Sequence, residues 1–156
     1  MLRRHLSCAA LGFVAYLLSA PATPWAADRP SQSDAQQIAM KAAALVKEKG
    51  IDASRPVFAA DGEFKYGEIY VNVVSDKGIR LIYPPAPAGE GADVLEAQDV
   101  DGKYLIKDII ELAKTKGEGW TQYRWTNPET KKIAEKVTFV KAVPERGAVV
   151  YVGIYK

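Results

Sequence analysis

The sequence predicts an α+β domain built on an antiparallel sheet, and three observations carry this prediction. Two stretches, 34–49 and 103–114, repeat apolar residues at the spacing of an amphipathic helix. Short runs of β-branched and aromatic residues lie between and after these stretches, each bounded by turn-forming residues. The last three runs follow one another with only turns between them, so we expect the strands they form to be antiparallel neighbours.

The first 22 residues are predicted to be a signal peptide that is removed from the mature protein. Arg3 and Arg4 precede an apolar run over 6–18, and the Ala-Pro-Ala sequence of 20–22 supplies small residues for cleavage. The apolar run is short for a membrane span. We therefore expect export, no membrane anchor after cleavage, and a periplasmic or secreted location.

The remainder has the size of one domain. Removing 22 of the 156 residues leaves 134, which suits a single hydrophobic core. Residues 23–33, rich in Pro, Ala, Asp and Ser, are predicted to form a flexible leader. Residues 34–156 are predicted to form the folded domain.

The composition excludes several classes of function. The only His and the only Cys, His5 and Cys8, lie in the predicted signal peptide. Without them the chain has no Ser-His-Asp or Cys-His catalysis, no His-based metal centre and no disulfide. Removing Arg3 and Arg4 from the 21 Lys and Arg leaves 19, equal to the 19 Asp and Glu, so no excess of positive charge attracts nucleic acid. We expect no enzyme activity, no cofactor and no nucleic-acid partner.

The first helix is predicted over 34–49, where it should cover one face of a sheet. Ser33 or Asp34 can cap its start, and Gly50 is typical of the residue that follows a helix end. Residues 51–64 contain Pro and Gly and are expected to form an irregular connector.

A β-hairpin is predicted next, with strands over 69–74 and 79–83 joined by a turn at 76–78. Both alternating faces of the first strand carry bulky side chains. We therefore expect one face to lie beneath the first helix and the other beneath a pocket. Prolines end the second strand, and the loop over 84–98 is long enough to suggest a role or a short helix around 94–97.

A calcium site and a helix cap are alternatives for the segment that contains Asp99 and Asp101. Alternating Asp residues followed by Gly102 are typical of the start of a calcium loop. Placing Gly102 at the sixth position of such a loop puts Ala97 at the first position and leaves no Glu at the twelfth. We therefore expect no metal here, and we expect Asp101 to cap the second helix, over 103–114.

The stretch 117–141 is the most unusual part of the chain. It places two Trp, a Tyr, an Arg and a Lys in two strand-like runs, 120–125 and 135–143, and a third run follows over 148–155. Together with the two helices, these runs predict a PAS-like antiparallel sheet of about five strands with a helix-bearing crossover. Aromatic walls beside fixed positive charge are typical of a small-molecule pocket. Aromatic residues that simply pack a core are an equal alternative from this stretch alone.

Residues spread over the second half of the chain also carry a resemblance to a known family. They are Gly119, Trp120, Tyr123, Trp125, Asn127, Pro128, Lys136, Val140, Gly153, Ile154 and Tyr155. Upstream, Tyr70, the turn at 76–78 and the 81–84 and 99–103 segments fit in the same order. In this pattern the chain resembles the Cache family, of the single-Cache type found as an extracytoplasmic sensor of bacterial chemoreceptors and kinases and as free secreted domains. The resemblance implies a free-standing sensor domain without an output portion of its own.

We expect the ligand-binding residues to be Tyr70, Tyr83, Tyr123, Trp125 and Lys136. The aromatic side chains would form walls and donate hydrogen bonds, and Lys136 would meet a carboxylate. Arg124 alternates away from Tyr123 and Trp125 and is expected to face outward. The expected ligand is a small organic anion, either a short carboxylate or an amino acid.

Two functions remain open from the sequence. The first is an exported ligand-binding protein that presents its bound state to a membrane sensor or transporter. The second is a protein-interaction module whose pocket is vestigial. Because no His follows the signal peptide, binding should change little between about pH 6 and 8 unless a carboxylate or Lys has a strongly shifted pKa.

Overall fold

The computed structural model describes residues 29–156, so the predicted signal peptide and the start of the leader lie outside the described residues. In this part of the chain, three α-helices pack on a six-stranded antiparallel sheet. The helices are α1 (Gln32–Lys49), α2 (Ile51–Ala59) and α3 (Leu105–Lys116). The strands are β1 (Lys65–Tyr66), β2 (Ile69–Ser75), β3 (Arg80–Ile82), β4 (Glu118–Thr126), β5 (Ile133–Val143) and β6 (Ala148–Tyr155). The predicted α+β class and antiparallel sheet are confirmed.

The last strand of the chain occupies the middle of the sheet. The order is β1-β2-β6-β5-β4, and β3 pairs with β2 as well. β6 therefore joins β2, from the first half of the chain, to the β4-β5 hairpin that follows α3. None of the helices formed by residues 29–156 is both long and apolar enough to cross a membrane.

One face of the sheet, which we call the helix face, packs against α1, and its buried side chains are aliphatic apart from Phe139. Its buried side chains alternate along three strands, and they are Ile69, Val71, Val73, Phe139, Val143, Ala148, Val150 and Val152. Small residues of α1, namely Ala35, Ala39, Ala42 and Ala43, face them and let the helix lie close to the sheet.

The start of α1 differs slightly from the expectation. Ser31, and not Ser33 or Asp34, is the N-cap. Its hydroxyl accepts a hydrogen bond from the Asp34 backbone N–H at 3.2 Å, and the Asp34 carboxylate accepts one from the Ser31 N–H at 2.8 Å. This reciprocal capping satisfies two backbone donors that the first turn would otherwise leave free.

The prediction of an irregular connector over 51–64 is wrong for its first part, which forms α2. Pro56 lies inside this helix, where it removes a single backbone hydrogen bond. Phe58 is fully buried in the core of the helix face and contacts Phe64 edge-on, with ring centroids 5.0 Å apart. The burial of this large aromatic side chain offsets much of the local cost of the proline.

The loop before α3 also differs from the expectation. A short 3-10 turn forms at Pro87–Gly89, and 94–97 forms no helix. α3 begins at Leu105 without a side-chain cap. Asp101 instead approaches Arg124, with Oδ1 and Nη1 3.4 Å apart. Arg124 is exposed, as its position on β4 predicts.

Candidate functional site

The face of the sheet opposite α1, which we call the cavity face, carries aromatic and polar side chains. They come from four strands, and they are Tyr70, Asn72, Tyr123, Trp125, Lys136, Thr138, Tyr151 and Tyr155. α3 covers part of this face with a cluster of aliphatic side chains that includes Ile109 and Ile110. The two faces of β2 therefore meet different layers, as its bulky alternation predicts.

A small cavity lies on this face. Its walls are formed by Tyr70, Asn72, Arg80, Tyr83, Ala97, Leu105, Ile106, Tyr123, Trp125 and Tyr151. The cavity volume is about 20 Å³, which is room for one or two water-sized molecules. No Asp or Glu is among the described residues that line it. The wall therefore contains one permanent charge, which is that of Arg80.

The sequence reasoning placed four aromatic residues in a pocket, and all four line this cavity. Tyr70, Tyr123 and Trp125 come from β2 and β4, and Tyr83 directly follows β3. The Trp125 indole Nε1 donates to the Tyr83 hydroxyl at 3.4 Å. Edge-to-face pairs link Tyr70 with Tyr83, at 6.2 Å between ring centroids, and Tyr123 with Trp125, at 6.4 Å. Their role in binding a ligand stays a prediction.

Arg80 is a member of the cavity wall that the sequence reasoning missed. Its Nε is buried and has no hydrogen-bond partner, and its guanidinium carbon lies 4.4 Å from the centroid of the Tyr83 ring. None of the ion pairs found within residues 29–156 includes Arg80. A charged residue between Ile79 and Leu81, inside an apolar strand, is the signal that could have revealed it.

Two further wall residues were also missed. Asn72 and Tyr151 are not among the ligand-binding residues that the sequence predicts. Both lie on the cavity face at paired positions of β2 and β6. Burial raises the pKa of Tyr151 and of Tyr123, so both phenols stay protonated and can donate hydrogen bonds.

The hydroxyl groups of Tyr70, Tyr123 and Tyr155 make different hydrogen bonds. Tyr155 donates to the Thr126 carbonyl at 2.8 Å, so its hydrogen is used there. The Tyr70 hydroxyl, 3.2 Å from that of Tyr155, then donates to it and accepts from Lys136. The Tyr70 side chain therefore lines the cavity, while its hydroxyl bonds to the buried residues Lys136 and Tyr155. Tyr123 accepts from Thr138 at 3.2 Å, which leaves its own hydrogen for another acceptor.

Lys136, the fifth residue predicted to bind the ligand, does not line this cavity, and its role in binding stays a prediction. Lys136 is 1% exposed and lies behind Tyr70, with Nζ 2.7 Å from the Tyr70 hydroxyl and 3.9 Å from the ring centroid. Its side chain crosses β6 at Gly153, where a Cβ would lie 2.7 Å from Lys136 Cε and 2.3 Å from Thr138 Oγ1. The absence of a side chain at Gly153 therefore lets the lysine reach β2.

Lys136 is a buried base beside a buried acid. Burial lowers the pKa of Lys136 to about 7, and the Glu68 carboxylate opposes this shift. Glu68 accepts hydrogen bonds from the Tyr155 backbone N–H at 3.0 Å and from Asn127 Nδ2 at 3.1 Å. The sequence predicts little change in binding between about pH 6 and 8 unless a carboxylate or a Lys has a strongly shifted pKa. Lys136 is such a lysine.

The loop that borders the cavity is fastened to α2. The Glu90 carboxylate accepts a hydrogen bond from the Tyr83 backbone N–H at 2.8 Å and pairs with Arg55 of α2. Arg55 also donates to the Leu81 carbonyl at 2.8 Å. The position of the Tyr83 ring in the wall thus depends on contacts outside the cavity.

The calcium alternative has no support from the described residues. No group of three or more His, Cys, Asp and Glu among residues 29–156 is placed to hold a metal ion. Asp99 Oδ1 accepts backbone hydrogen bonds from Asp101 and Lys103, each at 2.9 Å, and Oδ2 accepts one from Arg124 at 3.0 Å. These oxygens shape the turn before α3.

Comparison with known proteins identifies relatives of this chain. The model of the single Cache domain 2 family matches residues 25–156. The sensor histidine kinase MctS of Rhizobium johnstonii is 33% identical over 104 residues, which are 66% of this chain and 22% of that protein. The methyl-accepting chemotaxis protein McpP of Pseudomonas putida is 25% identical over 83 residues, which are 53% of this chain and 15% of that protein. The chain thus matches under a quarter of the length of these relatives.

Solved structures share the fold at lower identity. A periplasmic sensor domain of a chemotaxis protein superposes with a TM-score of 0.64 at 22% identity, covering 79% of this chain and 88% of that one. A Cache chemosensory domain, solved as the structural basis for its carboxylic acid recognition, gives 0.63 at 22% identity over 79% and 86% of the two chains. A methyl-accepting chemotaxis protein from Vibrio parahaemolyticus gives 0.62 at 19% identity over 79% and 81%.

Proposed function

This chain belongs to the single Cache domain 2 family, and on that premise we propose that it is an exported sensor-type domain that binds a small organic anion. The binding site is the cavity between β2, β4, β6 and α3. The bound state is passed to a membrane sensor or transporter protein.

The observation that carries this proposal is the environment of Arg80. A guanidinium on the cavity wall, with a buried Nε that has no partner and with no acidic residue among the other lining residues, leaves a positive charge that an anion can neutralise. Arg80 is half-buried, and a bound anion beside the aromatic rings would be less accessible to water, which strengthens the attraction between the two charges. Tyr123 and Tyr151 are neutral phenols that can add hydrogen bonds to the same anion.

In our proposal Lys136 does not touch the ligand but holds the Tyr70 side chain in position. Its Nζ fixes the Tyr70 hydroxyl, and Tyr70 forms a wall of the cavity. The ammonium therefore acts on the ligand through the position of the Tyr70 ring. Tyr70, Tyr83, Tyr123 and Trp125 remain the proposed wall residues.

The relatives support an anion ligand and a signalling partner. One structural neighbour is a Cache domain that recognises carboxylic acids. The relatives in Rhizobium and Pseudomonas are a sensor histidine kinase and a chemotaxis protein. Since the match covers only a small share of each, the partner that receives the signal from this chain is itself part of the proposal.

Thermal unfolding of ligand-free protein with a panel of short carboxylates and amino acids tests the binding step. A ligand present at about 100 times its Kd should stabilise the fold by about 2.7 kcal/mol, a shift in Tm of roughly 5 to 10 °C. Arg80→Gln should abolish the shift. Arg124→Gln, which removes an exposed arginine from the other face of β4, should retain it.

The anion proposal is wrong if no acid in the panel shifts the Tm, or if the Arg80→Gln variant shows the same shift in Tm as the parent. The small cavity volume would then favour the alternative, a protein-interaction module whose pocket is vestigial. Because that alternative needs a protein partner, the same preparation should be tested for a stable complex with candidate membrane sensors.

A further inference from the structure

The cavity contains a second unpaired buried polar atom besides Arg80 Nε. Asn72 is 2% exposed and lines the cavity, and its Oδ1 accepts no hydrogen bond from any residue in the described part of the chain. Its Nδ2 points at the Tyr151 carbonyl, 3.5 Å away. Exchanging the two amide atoms would set two oxygens against each other, so this carbonyl fixes the orientation of the amide.

The two unpaired atoms are complementary in kind. Arg80 Nε is a charged donor, and Asn72 Oδ1 is a neutral acceptor. A buried donor or acceptor without a partner destabilises the protein, so such groups are normally satisfied. A single small molecule that carries both an anionic oxygen and an N–H or O–H donor could satisfy both at once.

We propose that Asn72 selects the ligand, and that this ligand is a short 2-hydroxycarboxylate whose carboxylate lies on Arg80 and whose hydroxyl donates to Asn72 Oδ1. This inference rests on the function proposed above and narrows its ligand class. Leu105, Ile106 and Ala97 supply an apolar wall for the carbon atoms. At about 20 Å³ the cavity is smaller than any member of the class, so its wall must open on binding, and the shortest members require the smallest change.

The chemistry of the wall argues against the other short acids. A simple carboxylate or a 2-oxo acid has no hydrogen to donate, so Asn72 Oδ1 would remain unpaired. An amino acid has donors, but its ammonium would lie near the Arg80 guanidinium, and no acidic side chain lines the cavity to balance it. A hydroxyl group donates without adding charge.

Calorimetric titration of the dialysed protein with matched pairs of acids tests the inference. Glycolate differs from acetate, and lactate from propionate, by one hydroxyl group. We expect each hydroxy acid to bind about 10-fold more tightly than its partner. Lactate should also bind more tightly than pyruvate and alanine.

Variants of Asn72, titrated with the same acids, provide the second part of the test. In Asn72→Leu, the ratio of lactate to propionate affinity should fall to within about 2-fold, because no acceptor remains. In Asn72→Asp, the affinity for alanine relative to lactate should rise, because the new carboxylate can pair with an ammonium. Gln122→Leu, a comparable change at an exposed position on the other face of β4, should keep the parent ratio.

The outcomes separate this inference from the function on which it rests. If the parent binds propionate and lactate equally, the anion site stands and the hydroxyl preference is wrong. If the preference persists in Asn72→Leu, or in Asn72→Ala should the leucine variant not fold, Asn72 does not select the ligand. If none of these acids binds, the proposed function is wrong, and this inference, which rests on it, is wrong as well.

Discussion

The helix face and the cavity face of the same sheet use their buried positions differently. On the helix face, aliphatic side chains and Phe139 meet the alanines of α1, and no charged side chain belongs to this core in the described chain. On the cavity face, tyrosines and Trp125 share the layer with Asn72, Thr138 and Lys136, which are polar and buried. Burying polar groups costs free energy that burying apolar groups gains. The helix face therefore contributes more to the stability of the fold, and the buried polar groups of the cavity face reduce what that face contributes.

The largest expected effect tests the helix face. Phe139→Ala should lower the free energy of unfolding by about 3 to 5 kcal/mol, because it leaves a void beneath α1. Urea unfolding measures this loss. The fraction that stays folded should bind the anion with the affinity of the parent, since Phe139 points away from the cavity.

Trp120→Ala is the matched control on the same face. Trp120 packs edge-on against Phe139 but is 37% exposed, so its loss should cost clearly less. A Phe139→Ala variant that keeps its stability but loses ligand affinity would contradict the division of roles between the two faces.

A smaller effect is expected where Lys136 crosses β6. Gly153→Ala places a methyl group within 3 Å of Thr138 Oγ1, Lys136 Cε and the Val137 carbonyl, so it should destabilise the fold by about 1 to 3 kcal/mol. Denaturant unfolding again gives the value. Two of the three overlaps are with side chains of the cavity face, and the third is with a backbone carbonyl of β5.

Combining Gly153→Ala with Lys136→Ala identifies that origin. Removal of Cε relieves one of the three overlaps, so the double variant should lose less stability than the two single variants together. Additive losses would show that the lysine stem does not depend on the missing side chain at Gly153.

The smallest expected effect is the change in the free energy of unfolding for each pH unit. The pKa of Lys136 is about 7 in the folded protein and lies near the ordinary lysine value of 10.5 in the unfolded protein. Between these values the unfolded state binds more protons, so stability should rise with pH from 7 towards 10, by at most about 1.4 kcal/mol per pH unit. Below pH 7 both states carry the proton, and this contribution is constant.

Lys136→Met should remove that slope, as urea unfolding at pH 7, 8 and 9 can measure. The groups that face the ammonium are Glu68, Tyr70 and Tyr155, and burial raises the pKa of both tyrosines, so neither titrates in this window. Lys141→Met, on the same strand but partly exposed beside Glu118, should retain the parent slope. Equal slopes in Lys136→Met and the parent would assign the titration to another group.

Local patterns explain why so much of the fold could be predicted from the sequence. The 3.6-residue period of α1 and α3 and the turns between β4, β5 and β6 depend on neighbours along the chain. α2 was missed because Pro56 argues locally against a helix, and only the burial of Phe58 in the assembled core overrides it. Boundaries at Ser31 and Leu105 were missed for the same kind of reason, since each depends on competing local contacts.

The sequence by itself determined the fold class, the family resemblance and the four aromatic residues that line the cavity. Alternation along a strand decides which side chains share a face, and aromatic residues are conspicuous in any strand. Only the tertiary structure decided that Arg80 and Asn72 reach the same cavity and that Lys136 lies behind Tyr70. These residues come from β2, β3 and β5, and the distance between their side chains depends on strand order, on the gap left at Gly153 and on the packing of the loop before α3.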